Sequence, residues 1–277
     1  MAENVLFLSP EYSDDATVTA ASAVASLPAA NVQEQEPTKV WRSGGLASQY
    51  LVFDLGSSVT RAINAAGIGA HNLTSAATIR VRGATSIPNL TAAPGTDSTA
   101  IGAWPSSGKH SDRNWPHELS LVRWTNNTAY RYWRIDFTDA ANPDGYFDVG
   151  RVMLNRSFQP SLNLDIENSL GFVQLGSQEP NGWGQIFTDP KPWAQRLWNL
   201  QFSAADFDEV HDSFMELSRL RGIAGDLMVF LDPAETTRFH RWSMQALFNS
   251  VAQFRSQPLF NNSKQMWGFT FPLIEKL

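Results

Sequence analysis

Alternation of apolar and polar residues dominates this chain, and helical spacing surfaces convincingly only once. From Tyr130, Tyr132 and Arg134 alternate with Arg131, Trp133 and Ile135, the period of two that sends successive side chains to opposite faces of a strand. Turn chemistry follows in AlaAsnProAspGly (141–145), and then a second short apolar stretch, Tyr146–Leu154, with Phe147, Val149, Val152 and Leu154 turned inward. Two such strands predict a hairpin that a further sheet must cover. Val5–Leu8, residues 50–55 and 60–70, and Leu119–Thr125 also read as strands. Thr78–Arg82 alternates cleanly, with Ile79 and Val81 inward and Arg80 and Arg82 outward. Residues 12–30, rich in Ala, Ser and Thr, read as a surface segment. Residues 84–118 carry Pro88, Pro94, Pro105 and Pro116 among many small polar residues, which predicts a long irregular loop region.

The texture changes after Leu154, and Asn155–Pro160 is the expected boundary between two domains, residues 1–158 and 159–277. Asp165–Leu175 is strand-like, and Trp193–Phe202 alternates with Trp198, Leu200 and Phe202 on one side. Ser203 is then a good N-cap for a helix over 204–221, whose stripe is Phe207, Val210, Phe214, Leu217 and Leu220. Asp206, Asp208 and Glu209 favour its N-terminal dipole, and Gly222 stands where a left-handed residue ends a helix. Leu227–Leu231 reads as a strand closed by Asp232-Pro233. Residues 238–254 fit a strand, with a helix as the alternative, and Gln265–Ile274 is a last strand with Trp267, Phe269 and Phe271 in line.

Two resemblances cover the chain. YWRIDF (132–137), a turn and DGYFDVGRVML (144–154), together with 51–83, SLPAANVQ (26–33) and Val40-Trp41-Arg42-Ser43, resemble a discoidin-type, galactose-binding-like jelly roll over residues 1–158. That resemblance implies a carbohydrate-binding β-sandwich with glycan-binding loops at one end. RLWNLQFSAADFDEVHDSFMELSRLRG (196–222), DLMVFLDP (226–233) and WGFTFPLIE (267–275) are similar to tail-tube-type phage proteins, and more narrowly to the ring-forming belt of distal tail proteins. In that family a sugar-binding module follows or interrupts the belt, whereas here it comes first. Together they imply a mainly β chain: an N-terminal jelly-roll sandwich, then an α+β tail-tube-like β-sandwich with one amphipathic helix. They imply a structural virion protein at the tip of a siphophage-type tail, made in the host cytoplasm. Its partners would be copies of itself in a ring, expected to be a hexamer, the tail tube and baseplate hub proteins, and host surface polysaccharide. The alternative is a glycan-binding module that stands alone or accompanies a depolymerase.

Composition narrows the field. Hydrophobic residues make up 43% and charged residues 17%, a low charge content that suits a chain covered by an assembly. The net charge of −6 and the absence of a basic run give no footprint for nucleic acid. No cysteine is present, which excludes disulfides, thiolate metal sites and a cysteine nucleophile. The N-terminus lacks the basic and long apolar regions of a signal peptide, and no stretch has the ~18 apolar residues of a membrane span, so no membrane insertion is expected.

Candidate chemistry is sparse. The five histidines, at 71, 110, 117, 211 and 240, show no metal-ligand spacing, and GxSxG, P-loop and GxGxxG motifs are absent, so no metal, cofactor or enzymatic activity is expected. Asp112 and Glu118 share a loop, but nothing marks them as a glycosidase pair. The remaining candidate is Gly102–Glu118. Trp104 and Trp115 each precede a proline there, beside Lys109, His110 and Arg113. Either tryptophan is a platform for the C–H face of a sugar or it plugs the end of the sandwich. In the first case His110 and Arg113 are polar partners, joined by Arg42 if the segment after Trp41 lies at the same end.

Overall fold

The computed structural model describes residues 3–109, 119–165, 167–180, 182–183, 185–189, 194–261 and 264–277. The chain is mainly β and divides into two compact units. The first contains the described residues up to 160 and also Asp226–Gln245; the second contains Ser161–Gly225 and Ala246–Leu277. No helix among the described residues is long and apolar enough to cross a membrane.

In the first unit, Tyr132–Thr138 runs antiparallel between Gln49–Asp54 and Thr78–Ala84, with Trp133 opposite Phe53 and Gly83. Thr17–Ala20 extends the sheet on one side, and the short strands Thr96–Asp97 and Ile101–Gly102 pair with Thr78–Ala84. A second sheet sets Ala65–Gly69 between Val152–Asn155 and Leu119–Arg123. The sheets share one core: Leu51, Phe53, Ile79, Val81, Trp133, Ile135 and Phe137 meet Ala66, Ile68, Val122, Val152 and Leu154. The inward set expected from alternation is therefore the observed one. The expected hairpin is not observed. Tyr132–Thr138 takes its neighbours from far upstream, whereas Asp148–Val149 pairs with Trp41–Arg42 and Val152–Asn155 pairs with Ala65–Gly69. The turn at 141–145 thus connects different sheets, and each strand finds apolar cover that a two-stranded ribbon lacks. The segment 12–30 also contributes more than surface, since Thr17–Ala20 is an edge strand and Ser13 is fully buried.

The smaller sheet is covered on its other face as well. Leu6–Leu8 and Leu227–Phe230 pair antiparallel, Leu6 opposite Phe230 and Leu8 opposite Met228. Their side chains join Ala65, Leu119 and Met153 in a second core cluster. Ala65–Gly69 accordingly reads AAGIG, buried throughout. Gly67 permits the approach, because a Cβ there would lie 2.4 Å from the Met228 sulfur and 2.9 Å from Leu8 Cδ2. A contiguous split at 158/159 therefore differs from the observed units: the return segment Asp226–Gln245 is part of the first.

Arg151 fastens that segment. Its side chain is wholly buried and donates from Nε and Nη2 to the Asp226 carboxylate, both at 2.9 Å. Nη1 and Nη2 reach the Asp14 carboxylate at 2.6 and 2.8 Å, and Nη1 also donates to the Gln33 carbonyl. Gln245 Nε2 donates to Asp226 Oδ2 at 2.8 Å. Burial opposes the charge, but the two aspartates more than offset it and hold the guanidinium above its ordinary pKa.

In the second unit, Ala194–Asp206 pairs with Ser169–Gln174 on one side and Lys264–Glu275 on the other. Trp198, Leu200 and Phe202 are buried along it, as alternation predicts. The helical stretch begins at Phe207 rather than Ala204, capped by Asp206, whose carboxylate accepts from Asp208 N at 3.0 Å. Ala205 and Asp206 still pair with Trp267 and Met266 past a bulge, so ladder hydrogen bonds extend the strand beyond the expected cap. The stretch reaches Arg221 through a π-helical segment, Val210–Phe214, and ends at Gly222, φ 51°. Phe214 packs against Phe202 and Phe269 at ring distances of 4.9 and 4.5 Å. Ser243–Phe248 is a strand, as favoured from the sequence.

One part of this unit is not covered. Ser169–Gln174 and the paired strands Ser177–Pro180 and Ile186–Asp189 form an arm that exposes Leu170, Phe172, Leu175, Trp183, Ile186 and Phe187, with Phe172 62% and Trp183 93% exposed.

Candidate functional site

Of the expected site residues, Arg42 and Trp104 are described, both in the first unit. Trp41–Arg42 is a two-residue strand paired to Asp148–Val149, which sets Arg42 directly opposite Asp148. Two parallel bonds follow, Arg42 Nε to Asp148 Oδ1 and Nη2 to Oδ2, both 2.7 Å. Tyr146 lies two residues before Asp148, and the Arg42 guanidinium sits 4.0 Å from the centre of its ring. Asn72 ties the neighbouring loop down: its Nδ2 donates to Asp144 Oδ2 at 2.8 Å and to the Tyr146 carbonyl at 3.1 Å, while its Oδ1 accepts from Asp148 N at 2.9 Å. The bond to Asp148 holds Arg42 above its ordinary pKa. Arg42 and Asp148 both keep part of their surface in solvent. The rim thus offers an aromatic ring, a guanidinium and two carboxylates within one hydrogen-bonded frame, a set suited to hydroxyl-rich ligands.

Trp104 is placed differently from the platform expected of it. It is only 8% exposed, and its Nε1 donates to the Leu73 carbonyl at 3.2 Å. His71 meets its ring edge-on at 5.1 Å, and Lys109 Nζ lies 5.2 Å from its centre. Trp104 therefore plugs the end of the sandwich, because an apolar indole with a backbone acceptor at hand is better buried than stacked in water. Trp115, His110 and Arg113 lie outside the described residues. Tyr146, Asn72 and Asp148 were missed in the sequence, although TyrPheAsp at 146–148 carries the signal: Phe147 points in, so both its neighbours point out.

Beneath the rim, His71 and Ser120 form a buried pair with Nε2 and Oγ 2.8 Å apart. Ser120 spends its only proton on the Ala103 carbonyl, so His71 must donate from Nε2. The hydroxyl is not activated by the imidazole, and the geometry is not that of a nucleophile and its base. Nδ1 has no partner among the described residues. Burial, with Lys109 adding a smaller effect, lowers the His71 pKa to about 3. No group of three or more His, Cys, Asp or Glu side chains that could hold a metal occurs among the described residues.

No family model matches the sequence, and no curated protein does. Solved structures do. A family 32 carbohydrate-binding module of C. perfringens NanJ, in complex with galactose, is 12% identical with a TM-score of 0.38, over 55% of this chain and 99% of its own. The lectin domain of lectinolysin, complexed with Lewis B antigen, is 11% identical with a TM-score of 0.37, over 51% and 92%. The family 32 module of AlyQ, in complex with 4,5-unsaturated mannuronic acid, is 19% identical with a TM-score of 0.35, over 50% and 92%.

Proposed function

We propose that this chain is a structural protein of a tailed-phage tail tip, a distal-tail-type ring subunit whose first unit presents a carbohydrate-binding rim. The observation that carries the assembling half of this reading is the arm from Ser169 to Asp189. It exposes Phe172, Trp183 and Phe187, and apolar surface of that kind marks a face meant to be covered. The resemblance of 196–275 to tail-tube-type belts supplies the kind of assembly: a closed ring, six copies by analogy, between tail tube and baseplate hub. The rim supplies the recognition half, with Arg42, Tyr146 and Asp148 as the contacts to host surface polysaccharide. One rim is a weak site, and a ring would present several at once.

The test is two measurements on the full chain. Light scattering or electron microscopy reads copy number for the natural chain and for a Trp183→Ser, Phe187→Ser variant. The variant is expected to lose higher-order species while melting at the same temperature. A natural chain that remains monomeric in assembled tails defeats the ring. Retention on envelope polysaccharide is expected to disappear with Tyr146→Ala. If binding persists without any assembly, the second reading gains: a glycan-binding module, alone or beside a depolymerase. The closed core and rim of the first unit favour that reading on their own.

A further inference from the structure

The second unit holds a cleft of about 470 Å³, within the ~300–1,000 Å³ typical of small-ligand sites. Its floor is the face of the sheet turned away from the helix. Gln201 stands opposite Thr270, out of phase with the Phe202–Phe269 pair that packs under Phe214. The chain after Phe248 forms one wall and brings Ser250, Gln253 and Arg255 to the floor. Register makes the hollow: Arg255 lies opposite Gly268, which has no side chain to fill the space.

The chemistry of the lining is one-sided. Amides and hydroxyls supply donors and acceptors, and among the described residues no carboxylate lines the cleft, although the chain carries a net charge of −6. Glu167 accepts from Gln201 Nε2 at 3.3 Å from outside the lining. Arg196 and Arg219 of the same unit each hold a glutamate. Arg255, by contrast, is exposed, and among the described residues its hydrogen bond goes to the neutral Gln253 Oε1 at 3.3 Å. Its charge is thus available to a ligand, and a carboxylate is the partner a planar guanidinium fork fits best.

We propose that this cleft binds an acidic saccharide. Its carboxylate meets Arg255, its hydroxyls meet Gln201, Thr270 and Ser250, and its C–H face rests on Val251 and Pro272. A saccharide fits better than an extended peptide because main-chain groups at the floor are already engaged: Gln201 N donates to Asn168 Oδ1, and the Gln201 and Pro272 carbonyls accept from Asp165 N and Asn249 N. The site is independent of the rim in the first unit.

The experiment titrates the full chain with methyl glucuronide, methyl glucoside and an acidic tripeptide, followed by ligand-observed NMR and calorimetry. The glucuronide is expected to bind in the millimolar range or tighter and the glucoside about tenfold more weakly, the loss of one charge-assisted contact. Arg255→Ala is expected to weaken glucuronide binding by a similar factor, and Arg255→Lys by less. Arg219→Ala, an exposed arginine of the same unit outside the cleft lining, is expected to leave it unchanged. Arg255 is exposed, so an unaltered melting temperature shows that its variants fold. The proposal is overturned by absent glucuronide binding, by equal affinity for the two glycosides, by indifference to Arg255→Ala, by loss on Arg219→Ala, or by the peptide binding instead.

Discussion

Arg151 and Arg42 each grip an aspartate through two parallel hydrogen bonds, yet they do opposite work. Arg151 is sealed, meets two carboxylates and a carbonyl, and joins Asp14 to Asp226 across most of the length of the chain. Arg42 meets one carboxylate at the rim and leaves part of itself in water. The same pair chemistry gives a fastener where solvent is absent and a partly hydrated surface pair where it is present. Removing one partner of a buried pair strands a charge in a poor solvent, whereas removing an exposed one lets water take its place.

The widest break in that contrast comes from cutting away what Arg151 holds. A chain ended at Pro160 loses Asp226 and the Leu227–Phe230 strand, and each such apolar side chain contributes about 1.5–3 kcal/mol when buried. It is expected to lack a cooperative unfolding transition in urea; a transition at the full-length midpoint would sink the claim that the first unit needs its return segment. Arg151→Ala is expected next, at about 3–5 kcal/mol by denaturant titration, with Arg151→Met costing less because it fills the volume without a charge.

His71 sharpens the comparison with a buried group that is neutral. Its folded pKa of about 3 lies below the ordinary value of 6.5, so protons bind the unfolded chain more readily. Its stabilising contribution is complete above pH 6.5 and is lost as pH falls from there toward 3, by up to about 1.4 kcal/mol per unit. His71→Gln is expected to flatten the stability profile between pH 7 and 5, read as urea midpoints; parallel profiles would refute it. The smallest effect belongs to Arg42→Ala. Stability is expected to move by no more than about 1 kcal/mol, while retention on polysaccharide drops, and a large loss of stability would erase the distinction between the two arginines.

The inward faces of Thr78–Ala84 and Tyr132–Thr138 were legible because alternation is local. Ile79, Val81, Trp133, Ile135 and Phe137 are buried as the pattern requires. Which strand lies beside which was not legible. The partners of Tyr132–Thr138 sit about fifty and eighty residues upstream, and a tight turn at 141–145 suggested a nearer one. The return of Asp226–Gln245 was hidden for the same reason: DLMVF reads as a strand wherever it packs, and Asp226 carries no mark of the arginine it will meet. The helix began late because pairing with Met266 and Trp267 outweighed a good capping residue at 203. At the candidate site, Arg42 was singled out only because the segment after Trp41 was expected at the same end of the sandwich as the loop. The two alternatives for Trp104 stayed open because a Trp-Pro in a loop looks the same whether the loop folds inward or outward, and its burial fits the plug; Tyr146 was passed over in favour of the larger aromatics.

The strand at Leu227–Phe230 also imposes a timetable. A ribosome delivers residues 1–160 first, but the cover for Leu6, Leu8 and Met153 arrives only after residues 161–225 have been made. The nascent sandwich must wait with one apolar face open while most of the other unit is synthesised. Domains ordinarily mature in the order they emerge; here the amino-terminal one is expected to mature late, in step with the sequence nested inside it. Slow translation between 160 and 226 would lengthen the interval in which that face is open to chaperones or to aggregation.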